Sequence, residues 1–480
     1  MSLQKTAVMN LSMLSVVQIV GLLISQIGLI VLARILTKDD YGLYAIVLVV
    51  YNLFQLISMF GLDLGAIQSK ENLDDVLSSS LALRCIGTAI SAVILIPLSF
   101  IIAGFFNIPN LILPIQTIII SLLIALIGFG PLVMLYKDLR FLSISISRFV
   151  FSITWVITAI ILAIKGFGYW SLLISLIIGN IASNVVLFYY QKRIVRPRIV
   201  KHVSRNLIRF GKYQFISSIL VLLVLSLDKV AIGKLLSPSL LGAYFIAFGW
   251  GTMMSSMLSN AIGGVMFPTY VRLSNDPGLM KKAFTKTLIY TGYLSFPIGF
   301  GIAAISSVFV GAFLGINWAA AIIPLSILAF VGITQSMVAP SWSVFMSIGK
   351  PSIETKQIAI AFIPFIILLV PITQSFGIIG VSFLILATCM IWTLMGISRS
   401  IKLLGIRTHE IVIGLAKPIV ASSIMAIMVF LSSCLVPQNL VSFVILVIQG
   451  IGIYFIAIHL LTKGEALREG RVLFSAIIKR

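Results

Sequence analysis

Ionisable side chains are scarce in this chain, and those inside apolar runs are the first candidates for chemistry. Asp228 and Lys229 are neighbours within the apolar stretch 212–236. A charge at the centre of a bilayer costs about 2.5–3.5 kcal/mol on insertion scales, so each such group is a functional candidate by default. Helical neighbours point about 100° apart, which lets the two share one face loosely. Asp228 is the candidate coupling-ion group and Lys229 a candidate anion contact; the competing reading is an ion pair that only joins helices. Arg34 and Lys234 fall near the ends of the stretches 11–36 and 212–236. Arg matches phosphate with two parallel N–H donors and Lys supplies a point charge. Either these two line the path of an anion or they snorkel to the interface. Gln26, Asn52, Gln55, Tyr213 and Gln214 suit the hydroxyls of a sugar, and they suit interhelical hydrogen bonds as well. Asp63, in F-G-L-D-L-G, reads as a cap or a partner at a helix end, and Arg84, Arg148 and Lys286 read as helix-end cations placed by topology, with capture of a diphosphate at the cytoplasmic face as the alternative.

Other chemistries lack their residues. Cys85, Cys389 and Cys434 lie far apart in apolar runs, with neither a disulfide framework nor a CxxC spacing. His202, His409 and His459 form no HExxH or similar ligand pattern, so no metal and no cofactor is expected. The chain contains no GxxxxGK[ST] phosphate loop, which argues against an ATP-driven pump acting alone.

The elements that must hold these residues are membrane helices. The chain has 480 residues, 60% hydrophobic and 10% charged, with mean hydropathy +1.16. Soluble domains carry roughly 25% charged residues. Long continuous apolar runs, each near the roughly 20 residues that span a bilayer, predict an all-α integral membrane protein of about fourteen transmembrane helices. The stretch 11–36 is too long for a signal-peptide core and reads as a permanent first span. In this reading 29 of the 34 Lys and Arg lie on one side, and only Lys38 and Lys165 on the other. Positive charge collects inside, so both termini are placed in the cytoplasm of a plasma (inner) membrane protein. The net charge of +21 then needs no nucleic-acid partner, with membrane lipids as partners instead.

An internal repeat organises the spans. R-I-L-T-K-D-D-Y-G-L-Y at 34–44 matches K-L-L-S-P-S-L-L-G-A-Y at 234–244, with Leu36/Leu236, Gly42/Gly242 and Tyr44/Tyr244 identical. Each copy joins the first two spans of a six-span set. Six spans per set give both sets one orientation, a parallel repeat used by transporters with a site between two lobes. The expected parts are a lobe at 1–190, a basic cytoplasmic linker at 191–211, a second lobe at 212–400, and two extra helices with a tail at 401–480.

These strings, together with L-Y-K-D-L-R-F at 135–141, K-G-F-G-Y-W-S-L-L at 165–173, L-D-K-V-A-I-G-K-L-L-S-P at 227–238 and M-F-P-T-Y-V-R-L at 266–273, resemble the polysaccharide-exporter branch of the multidrug/oligosaccharidyl-lipid/polysaccharide superfamily, the Wzx-type flippases. The resemblance runs through most of the first twelve spans. It implies two six-helix lobes around a central cavity, alternating access, and a polyprenyl-diphosphate-linked glycan as substrate, for cell-surface polysaccharide such as lipopolysaccharide O-antigen. The driving force is either removal of the product outside or a proton or sodium gradient through Asp228, and a polysaccharide polymerase is a candidate protein partner. The site residues would then be Arg34, Asp228, Lys229, Lys234, Gln26, Asn52, Gln55, Tyr213 and Gln214. A multidrug or organic-cation exporter of the same superfamily is the alternative, but it would want acidic cavity residues where this chain is mostly basic. A glycan polymerase or glycosyltransferase needs a catalytic acid or base on an exposed loop. The short outer loops offer only Asp39 and Asp40, so no enzyme activity is expected.

Overall fold

In the computed structural model the described residues are 17, 20–69, 71–138, 140–193, 195–274, 276–350 and 352–462. Most of the start of the expected first span and the tail from 463 lie outside them. Among the described residues sixteen α-helices follow one another: α1 (Val20–Ala33), α2 (Lys38–Met59), α3 (Leu62–Gln68), α4 (Leu73–Phe106), α5 (Ile112–Ile127), α6 (Phe129–Lys137), α7 (Phe141–Ile164), α8 (Trp170–Tyr190), α9 (Lys201–Val224), α10 (Leu227–Leu235), α11 (Pro238–Leu273), α12 (Pro277–Phe309), α13 (Ile322–Ser347), α14 (Ser352–Leu404), α15 (Thr408–Ser433) and α16 (Leu440–Thr462). Among the described residues, ten helical segments are long and apolar enough to cross a membrane, and α1 is a shorter apolar helix.

The difference from fourteen has identifiable physical sources. The expected spans 357–374 and 378–398 run together as α14, which has 53 residues. At 1.5 Å per residue that is roughly 80 Å, far more than one bilayer core. Gly377, at φ 58° and ψ −150°, breaks the helical path between the two expected spans. The expected span 241–263, within α11, is not among the ten, and the expected span 42–66, which is among them as α2, ends early because Phe60 and Gly61 both take positive φ. The expected span 212–236 is broken at Leu225–Ser226 into α9 and α10.

The chain forms two compact units, Met1–Gly242 and Ala243–Arg480. In the first, one core gathers Leu62, Val76, Leu77, Phe129, Val133, Val203 and Leu207. The α7–α8 hairpin packs alongside, and α10 lies against α2, α4 and α9. Two small-residue contacts fix α1 on α7: a Cβ on Gly21 or Gly28 would meet Phe149 and Ser152, or Val156. In the second unit α12 packs on α13 and α15, α13 on α14, and α15 on α16. Its cores centre on Phe284, Leu288, Val344 and Phe345, and on Val308, Ala421 and Leu446.

The repeated string becomes a pair of matching turns. Thr37 Oγ1 accepts the Asp40 N–H at 3.2 Å, and Ser237 Oγ accepts the Leu240 N–H at 3.2 Å. A Cβ on Gly42 would overlap the Pro238 backbone, and one on Gly242 would overlap the backbone of Lys38. Residue 42 thus meets position 38 of the other copy and residue 242 meets position 38 of the first, a self-complementary contact of the kind a two-fold produces.

Candidate functional site

The break between α9 and α10 sets the charged pair. Ending α9 leaves carbonyls without partners, and starting α10 leaves N–H groups without partners. Lys229 Nζ donates to the Leu225 carbonyl at 2.7 Å, and Asp228 Oδ1 accepts the Lys229 N–H at 2.8 Å. The two side chains also bind each other, with Lys229 Nζ 3.2 and 3.3 Å from the Asp228 carboxylate oxygens. Asp228 is fully buried and Lys229 is 8% exposed. Asp228 sits in the first turn of α10 and Lys234 in its last, each sign complementing the helix dipole. Such a charged helix break can present ligand groups that an unbroken helix would use internally.

The other expected residues spread around this break. Lys234 is half-buried, with Nζ 5.0 Å from the centre of the Phe105 ring. Arg34 is exposed in the turn after α1. Gln26 is half-buried on α1, and its Oε1 is buried with no hydrogen-bond partner among the described residues. Gly21 and Gly28 face α7, and Gln26 lies about 140–160° around the helix from them, so it points away from that contact. Asn52 is exposed on α2. Gln55 Nε2 donates to the Tyr51 hydroxyl at 3.3 Å. The backbone of Tyr213 and Gln214 belongs to α9, and their side chains lie outside the described residues.

A second charged pair appears where the sequence suggested only helix-end groups. Arg84 is buried in α4, and its Nη1 donates to Asp63 Oδ1 of α3 at 2.7 Å. The guanidinium lies 4.6 Å from the centre of the Phe129 ring. Thr88, one turn on, bonds the Ser58 hydroxyl of α2 at 2.5 Å, and Ser91 continues the buried polar row. The i, i+4, i+7 spacing of Arg84, Thr88 and Ser91 was visible in the sequence as one face of a helix. Asp40 closes the opposite end: its Oδ2 accepts the Thr37 N–H at 2.9 Å, and its Oδ1 accepts the Tyr169 N–H at 2.8 Å. The strings at 34–44 and 165–173 are therefore two halves of one clasp.

The second unit holds an apolar cavity of about 470 Å³, lined by Trp250, Tyr293, Pro297, Phe309, Phe443 and Tyr454 among others. The Tyr454 hydroxyl donates to the Tyr293 carbonyl at 2.8 Å, so the cavity wall is nearly without free polar groups apart from Trp250 Nε1.

The family described as polysaccharide biosynthesis protein matches residues 31–323. The chain is 27% identical over 415 residues to the lipopolysaccharide biosynthesis protein WzxC of Escherichia coli (strain K12), covering 85% of this chain and 83% of the relative. It is 25% identical over 301 residues to the teichuronic acid biosynthesis protein TuaB of Bacillus subtilis (strain 168), covering 62% of each. Among solved structures, the lipid II flippase MurJ in an inward closed conformation superposes with a TM-score of 0.77 at 16% identity, covering 94% of this chain and 98% of that one. That likeness is one of fold.

Proposed function

The chain belongs to the polysaccharide biosynthesis protein family, and from that premise we propose that it is a flippase that moves a polyprenyl-diphosphate-linked oligosaccharide across the plasma membrane by alternating access. The observation that carries this reading is the buried Asp228–Lys229 pair at a helix break, in a chain whose other membrane-depth charges are mostly cationic. Cations at depth suit a diphosphate headgroup, and a cation substrate would need the opposite sign. Lys229 and Lys234 neutralise the headgroup as it crosses, Arg34 receives it near the outer end, and Gln26, Gln55, Asn52, Tyr213 and Gln214 bind sugar hydroxyls. Asp228 is the group that exchanges a proton or sodium ion. The apolar cavity suits the hydrocarbon chain of the carrier. The lobes are 1–190 and 212–400, joined by the linker 191–211 and followed by two helices at 401–480, with both termini in the cytoplasm. The protein is a transporter with no catalytic centre, and a polysaccharide polymerase consumes its product.

The test is translocation in proteoliposomes. A labelled polyprenyl-diphosphate sugar is expected to reach the far leaflet, and faster under a proton or sodium gradient. Movement of an organic cation with no movement of any lipid-linked sugar would reverse the assignment. Movement without gradient dependence would remove Asp228 as the coupling group and leave the substrate class intact.

A further inference from the structure

The stretch 192–209 is a basic strap docked on the first unit. Its apolar side chains are used on the core: Val203 and Leu207 lie in it, and Val195 and Val200 pack against it. Its backbone is pinned to α4, with the Arg198 N–H donating to the Ser78 carbonyl at 3.2 Å and the Val200 N–H donating to Ser79 Oγ at 3.1 Å. Two acidic groups add clamps. Arg193 pairs with Asp74 at 2.5 Å, and Glu71 accepts Asn206 Nδ2 at 2.8 Å and lies 3.6 Å from His202 Nε2.

The cations left over point outward. Lys192, Arg196, Arg198, Lys201, Arg205 and Arg209 are exposed, and among the described residues no ion pair holds their side chains. Lys201, Arg205 and Arg209 recur every fourth residue of α9, about 6 Å apart along its axis. Ile208, seven residues after Lys201, returns to the same face and is 42% exposed. Ile199, beside Arg198, is 53% exposed. The strap starts where α8 ends at Tyr189 and Tyr190, aromatic residues of the kind that mark membrane–water interfaces. Positive-inside topology asks only that Lys and Arg lie in the loop. It does not ask that Lys201, Arg205 and Arg209 recur every fourth residue on a docked helix with isoleucines exposed beside the cations. That arrangement is the one amphipathic segments use in the headgroup layer.

We propose that this strap is a binding surface for anionic phospholipid headgroups of the leaflet it faces, with Arg196, Arg198, Lys201, Arg205 and Arg209 holding phosphates and Ile199 and Ile208 entering the acyl boundary. It is separate from the Asp228–Lys229 pair and does not rest on the transport reading.

The experiment uses the full chain in nanodiscs of phosphatidylcholine and phosphatidylglycerol, with retained lipids counted by native mass spectrometry. Wild type is expected to enrich phosphatidylglycerol. The R196Q/R198Q/K201Q/R205Q/R209Q variant is expected to lose about tenfold of that preference, and R196K/R198K/R205K/R209K to keep it. Raising salt from about 0.05 M to about 0.5 M should erode the preference, because screening shortens the reach of exposed charges. Equal ratios in wild type and the Gln variant would overturn the proposal. So would displacement of phosphatidylglycerol by stoichiometric geranyl diphosphate, which would make the strap a capture site for diphosphate substrates. If the Gln variant fails to insert, the salt series on wild type decides, and a salt-insensitive preference overturns the proposal.

Discussion

Two buried ion pairs set what single substitutions do. Removing one partner of a buried pair leaves an uncompensated charge and costs about 3–5 kcal/mol, whereas replacing both with apolar groups of similar volume is often neutral. For Arg84 and Asp63, Arg84→Met alone is expected to lower the unfolding temperature markedly in detergent. Arg84→Met with Asp63→Leu should recover most of it, because the pair sits inside a core that includes Phe129. For Asp228 and Lys229 the same cycle separates structure from function. Asp228→Ala and Lys229→Ala should each reduce translocation in proteoliposomes without preventing insertion. Asp228→Leu with Lys229→Met should restore thermal stability and leave translocation low. Recovery of both would make the pair a structural joint of the α9–α10 break and nothing more. The sequence announced Asp228 and Lys229 by their charge in an apolar run. It could not announce that Lys229 also holds the Leu225 carbonyl, since that bond exists only because the helix is broken there.

Helix breaks and crossings are where local sequence and packing part company. Gly377 was visible as the short gap between two apolar runs, and its positive φ is the reason the gap works. At ψ −150° that backbone region is essentially reserved for glycine, so Gly377→Ala is expected to cost about 1–3 kcal/mol, read as a lower unfolding temperature. The break at Leu225–Ser226 was not legible. No Gly or Pro marks it, and the run stays apolar up to Leu227, with Asp228 and Lys229 following directly after the break. What decides it is the chance to satisfy the freed backbone groups with Asp228 and Lys229, a tertiary compensation that hydropathy does not record. The repeat lies between these cases. Gly42 and Gly242 stood out as identical positions, but only the fold shows that each lies against the other copy's position 38. Small residues let membrane helices approach closely. Gly42→Val would collide with the Pro238 backbone, which has no rotamer to yield, so the contact between residues 42 and 238 must open. The expected result is a strong loss of thermal stability, while Gly249→Val, where a Cβ meets open space, should change little.

At the scale of the whole chain, one native residue can decide the orientation. Cys434 caps the C-terminus of α15 and is exposed, while Cys389 is buried in α14 and Cys85 is half-buried in α4. The connection from Cys434 to Asn439 carries no Lys or Arg. The opposite ends of the same two helices adjoin Arg399, Lys402, Arg407 and Lys417, and the basic tail beyond 463. The positive-inside rule gives the expectation that Cys434 lies outside and residues 192–209 inside. The clasp supports one common polarity in the first unit: Asp40 ties together the two loops expected outside, and Lys137 and Arg140 bond Ser69 and Tyr190 at the other end. That geometry fixes which loops share a side and leaves the direction to charge. In a C85S/C389S background, a membrane-impermeant maleimide added to intact spheroplasts is expected to label the protein at Cys434, and C434S should abolish the signal. Labelling that appears only after permeabilisation would invert the chain. The strap and its cations would then be expected to face the outer leaflet, and the orientation read from charge would be wrong.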